Sequence, residues 1–111
     1  EEQGLGIIKG TVNKLEKKNK NIKIPHIGWN GVRQNQKDKL FHNIEDNSDF
    51  YFIHSFHLQP NDDSQIISYT NHGQNFVSSV KKDNIYGVQF HPEKSMQCGI
   101  NLFFNFFKMN A

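Results

Sequence analysis

Near the end of the chain, His91, Pro92 and Glu93 follow one another directly after an apolar run, within the stretch YGVQFHPEKS, Tyr86 to Ser95. In an extended segment, side chains i and i+2 project to the same side. Pro92 disfavours helix at His91 and favours an extended backbone there. An imidazole and a carboxylate aimed together suit a general base and its orienting partner: the carboxylate sets the tautomer and steadies the imidazolium that forms when the base takes a proton. The nucleophile of such a relay would come from elsewhere in the fold. The triplet also fits a capped strand end with ordinary polar residues, and taken alone it does not separate the two.

Other reactive side chains give weaker patterns. His54 and His57 form His-x-x-His, but on a strand residues i and i+3 face opposite sides and would not converge on a metal. His26 and His72 stand beside proline or glycine and read as turn or loop residues. Cys98 is the only cysteine, so there is no internal disulfide framework. It falls inside a terminal helical pattern and reads as a small buried or half-buried residue. Trp29 can pack locally under its loop. No metal or cofactor is expected.

The elements that would position His91 and Glu93 are mostly strands. LGIIKGTV, Leu5 to Val12, is apolar and β-branched, and KLEKKNKNIK, Lys14 to Lys23, reads as a solvated loop. IKIPHIGWNGV, Ile22 to Val32, holds Pro25, Gly28 and Gly31, which predicts one short strand with a bend. KDKLFHNI, Lys37 to Ile44, suits a single helical turn. FYFIHSF, Phe50 to Phe56, predicts a strand apolar on both faces through Ile53. Further strands are expected at 64–70, 75–80 and 85–90, with a turn at NHGQ where Gly73 can adopt positive φ. Their short spacing predicts an antiparallel meander. Met96, Ile100, Phe103, Phe104 and Phe107 recur at helical steps, predicting a terminal helix that packs this aromatic face into the core, with Ser95 as its N-cap. Strands followed by a packed helix indicate the α/β or α+β class.

The 111 residues suit one domain or a piece of one, with ten Phe and too much aromatic character for a disordered chain. A net charge of +2 from 13 basic and 11 acidic residues gives no case for nucleic acid or an anionic membrane. No apolar run approaches a membrane span, and EEQGLGIIKG lacks the pattern of a signal peptide, so a cytoplasmic location is expected.

The full run YGVQFHPEKS is far more specific than its triplet. It resembles the end of the class I, or triad-type, glutamine amidotransferases, in which a His and a Glu of this motif complete a Cys-His-Glu triad. KIPHIGWN (Lys23 to Asn30), YFIHSF (Tyr51 to Phe56) and NFVSSV (Asn75 to Val80), in this order, narrow the resemblance to the glutaminase subunits of imidazole glycerol phosphate synthase. The likeness extends from Gly4 to Phe107. It implies an α/β, flavodoxin-like domain whose C-terminal half adds antiparallel strands and a terminal helix.

By this resemblance His91 matches the general base and Glu93 its orienter. His54, Ser55 and Phe56 match the segment whose backbone holds the α-amino and α-carboxylate groups of glutamine. Trp29 and Asn30 match residues near the mouth where ammonia passes to the partner, and Tyr51 and Lys94 match interface positions. The implied partner is a (β/α)8-barrel synthase/cyclase subunit that uses ammonia in histidine biosynthesis. The Gly-x-Cys-x-Gly elbow of the family's nucleophile does not occur in the chain. Residues 1–111 are therefore expected to be the C-terminal portion of a single amidotransferase domain, inactive by itself. Two alternatives stay open: a paralogue serving a surface-sugar pathway, since TVNKL replaces a more Arg- and Phe-rich strand end, and a non-catalytic partner-binding subunit.

Overall fold

The structure is a computed structural model that describes residues 8–109. Seven strands, three short 3-10 turns and one helix follow in order: β1 (Gly10–Lys14), β2 (His26–Gln34), β3 (Ser48–His54), β4 (Phe56–Pro60), β5 (Ile66–Asn71), β6 (Asn75–Lys82), β7 (Ile85–Val88) and α1 (Met96–Met109). A five-stranded sheet has the order β3-β2-β5-β6-β7, and β1 pairs with β4 in a separate two-stranded sheet. Every pairing described is antiparallel. The expected meander is present in β5, β6 and β7. The strand expected at Leu5 to Val12 lies partly outside the described residues and runs on to Lys14.

One expectation about the strands needs correction and another needs refining. β2 is nine residues long rather than a short bent strand, because Gly28 takes a φ of 131° without breaking the pairing of Ile27 with Ile53 and Trp29 with Tyr51. β3 is apolar on both faces through Ile53 but buries only one of them: Phe50, Phe52 and His54 turn inward, while Ile53 is exposed on the outer face. The chain then crosses at Ser55 into β4, so one sequence run serves both sheets.

β5 and β6 are buried on both faces. Ile67 and Phe76 join the main core with Val32, Phe50, Phe52, Phe90 and Leu102, whereas Ile66, Val77 and Val80 form a second cluster with Ile8. Three buried serine hydroxyls of these strands satisfy one another: Ser68 Oγ meets Ser78 Oγ at 2.8 Å and also contacts Ser79 Oγ. The helical turn expected in Lys37 to Ile44 is a 3-10 turn, Lys39–Phe41, capped by Asp38, whose carboxylate accepts from Leu40 N–H at 3.0 Å. Tyr86 Oη (2.7 Å) and Lys81 Nζ (3.0 Å) also donate to Asp38. Burial raises the Asp38 pKa, but these donors outweigh it and hold the carboxyl below its ordinary value.

α1 buries the opposite face from the one expected. Ile100, Phe103, Phe104 and Phe107 are exposed, and Phe103 stacks on Phe107 outside the core. The face turned inward carries Gly99, Leu102 and Asn105, flanked by Cys98, Phe106 and Met109. Both faces recur at helical steps, so period alone could not choose between them. Packing decides it through two contacts. Asn105 Nδ2 donates to the carbonyls of Leu40 (2.9 Å) and His42 (2.7 Å), filling acceptors left at the end of the 3-10 turn. Gly99 lets the helix approach Pro92 so closely that a Cβ there would lie 2.8 Å from the Pro92 carbonyl carbon.

Candidate active site

The turn bearing His91 is fastened to β3. His91 N–H donates to Tyr51 C=O at 2.8 Å. Ser95 Oγ accepts from Tyr51 N–H at 3.0 Å and donates to His91 C=O at 2.6 Å. Ser95 is thus a buried clamp between turn and strand rather than the side-chain N-cap of α1. The segment is also not extended throughout. His91 is extended (φ −102°, ψ 95°), but Pro92–Lys94 forms a 3-10 turn, for which the fixed φ of proline is well suited at the first position.

His91 and Glu93 nevertheless meet, with Nδ1 and Oε2 2.9 Å apart. This hydrogen bond is the chief reason that the Glu93 carboxyl is held below its ordinary pKa. The carboxylate accepts the proton on Nδ1, which leaves Nε2 as the lone-pair nitrogen of the neutral ring. An imidazole in this tautomer, on the rim of the fold, can take a proton at Nε2 and return it.

A histidine cluster joins residues that the sequence alone places apart, His54 on a strand and His26 and His72 in turns or loops. His26 is not a turn residue: it is buried in β2, with Nδ1 2.8 Å from His54 Nε2 on β3. His72 is in the turn between β5 and β6, and its ring stacks on His26 with centroids 4.0 Å apart. Burial, helped by His72 and His54, lowers the His26 pKa to about 3. Burial likewise lowers His54, outweighing its bond to the Phe56 carbonyl, while nearby His72, His57 and His91 lower it further. His57 is lowered too, chiefly by burial. Among the described residues no group of three or more His, Cys, Asp or Glu is placed to hold a metal ion. The pairing of His26 with His54 comes from the register of β2 on β3, in which Trp29 also faces Tyr51.

The other candidate residues divide into two sets. Trp29 is 49% exposed and packs edge-to-face on Tyr51, so it does not tuck under a loop. With exposed Ile27 and Ile53 it forms an apolar strip on the outer face of β2 and β3. Lys94 is exposed on the turn that His91 N–H ties to Tyr51. Asn30 points the other way: Nδ2 donates to Asn71 C=O at 2.7 Å and approaches His26 Nε2 at 3.2 Å. Ser55 is half-buried with its carbonyl accepting from Leu15 N–H, and Phe56 is exposed at the start of β4. Cys98 is half-buried on the core side of α1.

With these features in place, comparison with known proteins assigns the class. The chain belongs to the class-I glutamine amidotransferase family, whose model, Glutamine amidotransferase class-I, matches residues 3–110. The antiparallel sheets and C-terminal helix are those expected of that α/β, flavodoxin-like domain. Within the family, the chain is 50% identical over 105 residues to the imidazole glycerol phosphate synthase subunit HisH of Pyrococcus furiosus, covering 94% of this chain and 52% of the relative. The corresponding subunit HisH of Pelagibacter ubique is 43% identical over 109 residues, 98% of this chain and 52% of the relative. Subunit HisH 2 of Methanococcus maripaludis is 48% identical over 106 residues, 96% and 52% respectively. The chain thus spans about half the length of these relatives. Among the described residues no helix is long and apolar enough to cross a membrane.

Proposed function

We propose that this chain is the His/Glu-bearing, C-terminal part of a glutaminase that supplies ammonia to imidazole glycerol phosphate synthesis in histidine biosynthesis. The observation that carries this reading is the His91–Glu93 pair at 2.9 Å, fixed by the Tyr51–Ser95 clamp. In the proposed reaction a cysteine thiolate from outside these residues attacks the side-chain amide carbon of glutamine. His91, protonated at Nε2, gives that proton to the departing nitrogen as the C–N bond breaks, and ammonia leaves. A thioester remains. His91 then takes a proton from water as the water attacks the thioester carbon; the C–S bond breaks and glutamate is released. Glu93 keeps a proton on Nδ1, so that Nε2 carries the exchanged one, and steadies the imidazolium that enters the first step and forms again in the second.

His54, Ser55 and Phe56 form the substrate-holding segment in this reading. The strip of Ile27, Trp29, Tyr51 and Ile53, with Lys94, is the proposed surface for a barrel-shaped, ammonia-accepting partner; an exposed apolar patch of this kind suits a protein interface. The outward aromatic face of α1 is proposed to pack against the nucleophile-bearing remainder of the domain, in a cytoplasmic heterodimer. Cys98, which packs against the core from α1, is not the proposed nucleophile.

The test is glutamine hydrolysis by the chain joined to its nucleophile-bearing half. His91→Ala is expected to abolish turnover, and Glu93→Gln to lower it about a hundredfold or more. Undiminished turnover in the His91→Ala protein would remove His91 from the mechanism.

A further inference from the structure

The polar contacts around His26 have one permitted direction. His54 Nδ1 lies 2.9 Å from the Phe56 carbonyl oxygen, which can only accept, so Nδ1 carries the proton. A neutral His54 then has its lone pair on Nε2. His26 Nδ1, 2.8 Å away, must be the donor. The lone pair of His26 is left on Nε2, where the Asn30 amide donates at 3.2 Å. The Asn30 amide is itself oriented, since its Oδ1 accepts from Gly31 N–H at 2.8 Å and its Nδ2 also donates to Asn71 C=O. A proton added to His54 would place two N–H groups against each other. His72 closes the outer side, its Nε2 donating to Lys23 C=O at 2.7 Å while its ring covers His26.

We propose that His26 is a positioning residue for glutamine binding: the directed run Asn30 to His26 to His54 to the Phe56 carbonyl fixes the backbone of His54–Phe56. This rests on the reading above that assigns this segment to the substrate. Ser55 is the crossing between two sheets, where neither ladder alone determines the backbone path. The His54 ring bonds forward to the residue two positions on, which holds that crossing in one shape. His26 touches no substrate and acts only through His54. The groups near enough to disturb the run are His72, His57 and His91, with Glu16 beyond His57, and the low pKa values of His26 and His54 keep both rings neutral at pH 7.

Two measurements test this. Long-range 15N–1H spectra of the imidazoles in the joined protein should show His26 and His54 as neutral Nδ1–H tautomers and His72 as Nε2–H at pH 7. A protonated or Nε2–H His54 would overturn the run. Glutamine kinetics should then show a KM raised about tenfold or more in His26→Leu, the loss of one buried donor, with kcat changed less than about threefold. His26→Asn places an amide N–H where Nδ1 was and should restore KM to within about threefold. Should the leucine variant not fold, His26→Gln, whose amide reaches instead toward the Nε2 position, takes its place with the same expectation. Unmoved KM in a folded variant lacking the donor overturns the positioning role while glutamine hydrolysis stands. Parent protein that hydrolyses no glutamine overturns the functional reading and the role with it, while the spectra still decide the hydrogen-bond run.

Discussion

Acidifying the protein from pH 8 to pH 5 is expected to cost about 2 kcal/mol of stability through His26 alone. The ordinary imidazole pKa of 6.5 applies in the unfolded chain, whereas folding lowers His26 to about 3. Above pH 6.5 neither state binds the proton, and the folded state keeps its full stability. As pH falls below 6.5 the unfolded chain takes up a proton that the folded chain refuses, and stability drops by roughly 1.4 kcal/mol per pH unit until His26 itself titrates near 3. At pH 5 the drop is therefore about 2 kcal/mol, a large share of the ~5–15 kcal/mol of a typical domain. His54 and His57 are lowered in the same direction and steepen the fall. The lowered carboxylates, Asp38 among them, lose their contributions only at more acid pH, so the window from 6.5 to 5 isolates the histidines. Urea unfolding at pH 8, 6.5 and 5 should show the midpoint falling by about 1 M or more, given slopes of ~1–3 kcal/mol/M. His26→Asn should be less sensitive by about one proton. A midpoint that holds level between pH 7 and pH 5, or an asparagine variant as acid-sensitive as its parent, would refute the assignment of a buried neutral His26.

Two substitutions probe the mounting of the His91 turn. Ser95→Ala removes the clamp and leaves Tyr51 N–H and His91 C=O without the hydroxyl, at an expected cost of about 1–3 kcal/mol by denaturant unfolding, with lowered glutamine turnover in the joined protein. Gly99→Ala would gain about 1 kcal/mol of helix propensity at an open site. Here the new methyl meets the Pro92 carbonyl well inside contact distance, so overpacking of about 1–3 kcal/mol should prevail and the His91 imidazole resonances should shift; an alanine variant more stable than its parent would show that the helix does not approach the turn this closely.

The local signals were legible in the chain because their causes are local. Gly73 sits at a φ of 76° in the turn expected for it, Pro92 opens the turn that aims His91, and the i, i+2 spacing keeps Glu93 within reach of the ring even though the backbone coils there. The period of α1 was equally plain. Its orientation was not, since Ile100–Phe104–Phe107 and Gly99–Leu102–Phe106 are both regular apolar faces, and only the carbonyls of Leu40 and His42 and the backbone of Pro92 select between them.

The sequence by itself determined that His91 and Glu93 would lie within reach of each other and that strands would lead to a terminal helix, because both depend on residues within a few positions of one another. The tertiary structure alone decided that His26 and His54, 28 positions apart, share a buried bond, that Asn30 turns inward while Trp29 faces out, and that Ser95 clamps a strand rather than capping a helix. The first two follow from the register of β2 on β3 and the third from the docking of the 91–95 turn on Tyr51, and such pairings are properties of segments meeting across the fold, which no short stretch of chain contains.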